Sequence, residues 1–209
     1  MNYKIDIRKT NGRKYFVCHG DPGFEEGIYL YPGEIKKSKL KKDAEISEED
    51  FEKIRLTLVV PRAKKRALGI LAKRDRTESQ LREQLEKNQY DYASIEDALY
   101  FMREHHYIDD ERYVRDYIYS KKDKKSFRQI RFDLRRKGIS QEVLDRIFEE
   151  EDGQSSQDLI PLIEKYVRRF SELDRAAKNK TYQHFARKGY QSDVIKEGLD
   201  QVFPTVKQK

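Results

Sequence analysis

The feature that most constrains this chain is an internal repeat of about fifty residues. The stretch IRFDLRRKGIS (Ile130 to Ser140) has two relatives in the same chain, LREQLEKNQYD (Leu81 to Asp91) and TYQHFARKGYQ (Thr181 to Gln191). A shift of 49 residues sets Ile130 on Leu81, Arg131 on Arg82, Leu134 on Leu85, Ile139 on Tyr90, Leu144 on Ile95 and Phe148 on Leu99. A shift of 51 the other way sets Leu134 on Phe185, Gly138 on Gly189, Ile139 on Tyr190, Leu144 on Ile195 and Phe148 on Leu199. Self-similarity at this period marks a repeat array: one unit cannot bury its apolar face alone, and neighbours complete the core.

Local chemistry sets the same register. Thr77-x-x-Gln80 and Ser126-x-x-Gln129 read as capping boxes, also 49 apart. The hydroxyl takes a first-turn amide and the Gln side chain reaches back to the cap amide. The second helix of each unit then starts near Glu78 and Phe127. Gly138 and Gly189 fall where the chain must leave that helix with positive φ, which glycine does without strain. Ile139 with Leu144 fits a hydrophobic staple around a cap at Ser140, and Tyr90 with Ile95 repeats it around Asp91. Helices over 64–73, 111–120 and 159–171 precede these pairs, so each unit has three. The third repeat carries Ala177 at the cap position, and its second helix is expected to start differently.

The first sixty residues differ. Tyr3 to Ile7 alternates, Asn11-Gly12 is a hairpin signal, and Tyr15 to Cys18 returns as a second strand. Gly20-Asp21-Pro22-Gly23 is loop chemistry. Gly27 to Tyr31 is a third strand stopped by Pro32-Gly33. Ser47 with Asp50 signals a helix start, followed by Phe51, Ile54 and Leu58 at helical spacing. The expected fold is mainly α: an elongated array of three tandem three-helix repeats (61–109, 110–152, 153–209) behind a small strand-rich extension (1–60). Charged residues make up 40% of the chain, which invites a disordered reading. Net charge is only +7, however, and 24 residues are Phe or Tyr, which suits a thin folded protein better.

Several classes of function find no support. Cys18 is the single cysteine, so no intramolecular disulfide can form; in its alternating apolar segment it reads as a small buried hydrophobe. No long apolar run or signal sequence is recognised, and a cytoplasmic protein without membrane contact is expected. His105-His106-Tyr107-Ile108-Asp109-Asp110-Glu111 tempts a metal reading, but adjacent side chains on a helix diverge by about 100°. The stretch reads better as a helix ending at His106 in left-handed geometry, with Asp109 or Asp110 capping the next helix. There is no phosphate-binding Gly-Lys-Ser/Thr loop, no G-x-S-x-G, no H-E-x-x-H and no paired-cysteine motif. Neither an enzyme nor a cofactor is expected.

Basic clusters are the functional candidates. Arg62 to Arg76 holds seven Lys/Arg against one acid, Lys121 to Lys137 nine against two, and Lys165 to Lys188 eight against two. The candidates are Lys64, Lys65, Arg66, Arg74 and Arg76 in the first repeat. The second contributes Lys121, Lys122, Lys124, Lys125, Arg128, Arg131, Arg135, Arg136 and Lys137, and the third Arg168, Arg169, Arg187 and Lys188. Arg128, Arg131 and Arg135 recur at i, i+3, i+7 and share a helix face beside the apolar face of Phe127, Ile130 and Leu134. One cluster is ordinarily a solvated face. Three at matching places point to a partner rich in phosphate or carboxylate, which the guanidinium fork suits equally. Tyr113, Tyr117 and Tyr119 lie near, but at helical spacing they read as core before they read as base-stacking platforms.

Three motifs resemble the RecX regulators of the RecA recombinase. They are Ala67-x-x-x-Leu71-x-x-Arg74-x-Arg76-Thr77-x-x-x-Leu81-x-x-x-Leu85, then Tyr107-Ile108-Asp109-Asp110-Glu111-Arg112-Tyr113-Val114, then Arg128-x-x-Arg131-x-x-Leu134-x-x-Lys137-Gly138-Ile139. The resemblance spans about residues 62 to 203. Asn88-Gln89 departs from the usual Lys-Gly, His106 stands where Gly is common, and the third repeat diverges. The resemblance implies a curved helical array acting as a monomer in the groove of a RecA–single-stranded-DNA filament. It implies inhibition of filament growth, ATP hydrolysis, strand exchange and SOS induction. It also implies weak direct binding of single-stranded DNA, with double-stranded DNA as a further candidate. The alternative is a sequence-independent DNA-binding helical-repeat protein that acts without a recombinase, since basic second helices in three-helix units are also a helix-turn-helix trait. Basic residues spread over all repeats favour extended contact over one reading helix.

Overall fold

The computed structural model describes residues 2–10, 12–19, 26–151 and 155–203. Asn11 of the expected hairpin turn and the loop at 20–23 lie outside them. The chain divides into two compact units, Met1–Asp109 and Asp110–Lys209.

In the first unit, β1 (Asn2–Lys4) pairs antiparallel with β5 (Glu45–Ser47). A second antiparallel sheet has the order β2 (Asp6–Lys9), β3 (Tyr15–His19), β4 (Glu26–Leu30), with Ile7 opposite Val17 and Val17 opposite Ile28. The alternation expected from Tyr3 to Ile7 as one strand is divided at Ile5. Its amide donates to Ala44 O and its carbonyl accepts from the Asp43 amide, both at 2.9 Å, so this buried residue passes the chain from one sheet to the other. Pro32-Gly33 ends the third strand as expected and then opens α1 (Pro32–Lys37), where the Glu34 carboxylate accepts the Tyr31 amide at 2.7 Å. Cys18 is buried beside Val17.

Ser47 caps α2 (Glu48–Ile54) by accepting the Asp50 amide. The helix does not stop there. It passes through a five-residue π-helical turn, Arg55–Val59, into α3 (Val60–Leu71). Pro61 has no amide to give and its ring crowds the preceding turn. The wider turn just before it lets the helix continue. The expected boundary at residue 60 therefore falls inside one helical run. Phe51 and Val59 close a core with Ile5, Val17, Ile28, Leu30 and Ile46, while Ala63, Ala67 and Ile70 close another with α4 (Glu78–Lys87) and α5 (Tyr92–Glu104). Arg55 fastens the two together. It is buried, and it donates to Glu52 at 2.5 and 2.7 Å and to Asp97 on α5 at 2.6 Å.

The second unit holds α6 (Asp110–Lys121), α7 (Phe127–Arg136) and α8 (Gln141–Glu150) around Val114, Ile118, Ile130, Leu134, Ile139, Leu144 and Ile147. It continues with α9 (Ser156–Val167), α10 (Arg175–Arg187) and α11 (Ser192–Val202) around Leu159, Ile163, Phe185, Tyr190, Ile195 and Leu199. The fold is mostly helical: three three-helix units and, at the N-terminal end, a small three-stranded antiparallel sheet beside a two-stranded one.

The three repeats share one turn. In each, the second helix ends with paired backbone bonds of the Schellman type. Gly138 N–H donates to Arg135 O and Ile139 N–H to Leu134 O; Gly189 to Ala186 O and Tyr190 to Phe185 O; Gln89 to Glu86 O and Tyr90 to Leu85 O. The pivotal residue has φ of 83° at Gly138, 87° at Gly189 and 61° at Gln89. His106 turns the chain in the same way at φ 53°, and α6 starts at Asp110. Thr77 accepts the Gln80 amide, and at Ser126 both capping-box bonds form. In the third repeat the second helix begins three residues ahead of the repeat register. Asp174 is its cap, accepting the Ala177 amide at 2.7 Å, so Ala177 needs no capping side chain.

Candidate nucleic-acid interface

The start of α7 and the turn after α10 meet inside the second unit. Ser126 is buried because its hydroxyl has two tasks: it accepts the Gln129 amide and donates to Lys188 O at 2.6 Å. Gly189 lies against the side chain of Arg128, and a Cβ at Gly189 would stand 2.7 Å from Arg128 Cδ. The missing Cβ thus serves both the left-handed turn and the passage of the Arg128 stem across it. Between these elements lies a groove of about 420 Å³ lined by Lys125, Arg128, Gln129, Phe132, Asp133, Arg187 and Lys188.

The groove is electropositive by construction. Its carboxylate, Asp133, accepts from Lys125 Nζ at 2.5 Å and from the Tyr117 hydroxyl at 3.3 Å. The hydrogen bond from Lys125 holds the Asp133 pKa below its ordinary value, and the same bond raises that of Lys125. Four cations against one carboxylate leave a surplus that a polyanion neutralises. Phe132 opens onto the groove with 61% of its surface exposed, and the Arg136 guanidinium lies 6.0 Å from its ring centre.

The structure separates the predicted arginine triplet. Arg128 lines the groove, and Arg135 is exposed on α7. Arg131 instead forms an ion pair with Asp145 of α8 and lies 5.5 Å from the Phe148 ring, so its charge is committed within its own repeat. Lys121 and Lys122 lie over the rings of Tyr117 and Tyr119, Lys137 lies between Tyr113 and Tyr117, and Lys124 is exposed. In the third repeat Arg168 is exposed, and Arg169 covers Tyr166 at 3.8 Å. Arg187 and Lys188 belong to the groove. In the first repeat Lys64 lies 4.5 Å from the Phe101 ring, Lys65, Arg66 and Arg74 are exposed, and Arg76 is half-buried.

Phe132 was not among the expected rings. Tyr113 and Tyr117 are half-buried and stacked on one another, while Tyr119 is 78% exposed. A signal for Phe132 existed: Ile130 and Leu134 already fill the core stripe of α7, which leaves an aromatic residue between them pointing outward. Among the described residues no group of three or more His, Cys, Asp and Glu could hold a metal ion, and no helix is long and apolar enough to cross a membrane.

Comparison with known proteins defines the class. Three family models match in succession: the first three-helix domain of RecX over residues 63–102, the second over 109–146 and the third over 157–199. The chain belongs to the RecX family of regulatory proteins. The Regulatory protein RecX of Clostridium beijerinckii is 28% identical over 204 residues, covering 95% of this chain and 94% of that one. That of Clostridium botulinum is 25% identical over 199 residues, covering 93% and 92%. A crystal structure of regulatory protein RecX has the same fold, with a TM-score of 0.62 at 24% identity over 95% of this chain and 99% of that one. The RecX crystal structure from Lactobacillus salivarius also gives 0.62, at 21% identity over 68% and 96%.

Proposed function

We propose that this protein binds the RecA–single-stranded-DNA filament as a monomer and restrains it. Filament growth, ATP hydrolysis, strand exchange and SOS induction all fall in consequence. The observation that carries this reading is the succession of three RecX domains between residues 63 and 199, matched in order and without a gap of a whole repeat. The cations spread over all three repeats support a long polyanionic partner, and a filament offers both phosphates and acidic protein surface. The groove beside Phe132 favours direct contact with DNA as part of that engagement.

The test is DNA-dependent ATP hydrolysis by RecA at fixed single-stranded DNA, titrated with this protein. Inhibition well below one molecule per recombinase subunit is the expected result. Inhibition that needs enough protein to coat the DNA, and is relieved by adding more DNA, refutes the filament reading. It would leave a sequence-independent DNA-binding protein.

A further inference from the structure

We propose that the groove between α7 and the turn after α10 binds a short run of unpaired nucleotides. One base stacks on Phe132, and the adjoining phosphates are held by Arg128 and Lys188. This rests on the reading that the protein touches single-stranded DNA directly, and it names where and by what chemistry.

Three observations converge on this site. The first is the ring. Phe132 is held out to solvent on a helix whose core positions are already filled by Ile130 and Leu134. An aromatic face so placed is a platform for a flat partner, and every base has a π face to offer. The second is charge. Arg128, Arg187 and Lys188 border the same groove, while its carboxylate is engaged by Lys125. The third is preorganisation. The Ser126 hydroxyl holds the Lys188 carbonyl at 2.6 Å and the Arg128 stem passes across Gly189, so the two backbone elements that carry these cations are set against each other before any ligand arrives. The groove volume, about 420 Å³, lies in the range of sites that take one small ligand.

Other polyanions fit less well. An acidic peptide would satisfy the cations but leaves the ring without a partner. A duplex keeps its bases stacked on one another and offers no face to Phe132. An unpaired strand uses both features. Contacts to phosphate and to a ring make such binding salt-dependent and tolerant of sequence.

The chain contains no tryptophan, so Phe132→Trp introduces a single reporter at the stacking position. The variant is titrated with a ten-nucleotide oligothymidylate, a duplex of equal length and polyglutamate of matched charge. Quenching by the oligothymidylate alone, weakening as salt rises, is expected. Phe132→Ala should lower oligothymidylate affinity about tenfold, within the range for loss of one base–aromatic stack. Binding without quenching, equal affinity of Phe132→Ala and the unaltered protein, or equal quenching by the duplex or by polyglutamate overturns the assignment. The recombinase assay is run beside it. If the unaltered protein does not inhibit ATP hydrolysis, the filament reading fails while the quenching result stands by itself. If inhibition persists and Phe132→Ala binds oligothymidylate normally, only the groove assignment fails.

Discussion

Gly138→Val tests the shared turn. Gly138 sits at φ 83°, between the amides that close α7 onto Arg135 O and Leu134 O. An L-residue in left-handed geometry costs about 1–2 kcal/mol, and a β-branched one lies toward or beyond the upper end. Valine recovers roughly 0.5–1 kcal/mol by restricting the unfolded chain. The net loss is about 1–1.5 kcal/mol. In a unit of about 100 residues, 1 kcal/mol moves Tm by about 4–8 °C, so a fall of about 5–10 °C is expected. The first repeat supplies the opposite experiment. Gln89 holds the same place at φ 61° with a side chain attached, and Gln89→Gly relieves that strain while loosening the unfolded chain. A change between zero and a gain of about 1 kcal/mol follows. Differential scanning calorimetry on the full chain measures both. An unchanged Tm for Gly138→Val, or a loss for Gln89→Gly as large as that for Gly138→Val, refutes the left-handed cap as the source of the energy.

Arg131→Ala should lower the stability of the second unit by about 1 kcal/mol, through a half-exposed ion pair with Asp145 and the contact with Phe148. Arg128→Ala with Arg135→Ala should leave Tm unchanged and weaken oligothymidylate binding; the reverse pattern would show the two roles are misassigned. Arg55→Ala should cost about 2 kcal/mol, less than for a fully buried pair because Glu52 and Asp97 regain water, and urea unfolding of the first unit reads it. His184, stacked on Tyr166 at 4.0 Å, has its pKa pushed below the ordinary 6.5 by burial and then by Lys188, Arg169 and Arg187. The unfolded chain therefore takes up this proton first. Its contribution is intact above about pH 7 and drains as pH falls through 6.5 toward the folded-state value. His184→Gln should flatten the decline in Tm between pH 7.5 and 5.5, and an equal slope in both proteins would refute the assignment.

What could be read from the sequence was whatever a few neighbouring residues decide. Ser47, Thr77, Ser126, Asp91 and Ser140 cap helices because a short polar side chain reaches the amide three residues on. Gly138 and Gly189 end helices for an equally local reason. Gln89 shows the limit: register alone places it in the left-handed turn, against its own preference. Arg131 shows another. Helical spacing gives the direction of its stem but not the acid on a neighbouring helix that captures it. The groove lay further out of reach, because it depends on Ser126 meeting Lys188, 62 residues away. Pro61 is a last case: a proline disfavours a helix interior, yet the π turn before it carries the helix through.

That π turn lies in a helical run, Glu48 to Leu71, whose two ends must stay in phase with two different cores. Its 24 residues form a rod about 35 Å long, sunk at one end among strands and at the other in the first repeat. Deleting one residue from either α-helical part of the run would rotate one end against the other by about 100°. Either Phe51 and Val59 or Ala63 and Ala67 would then leave their core, and Arg55 would lose its alignment with Asp97. The run works as a key cut: its two ends fit their cores at one rotational setting, so a shuffled N-terminal module grafted onto another first repeat would engage only if it preserved the helical phase, with the π turn as the place where one residue can be absorbed.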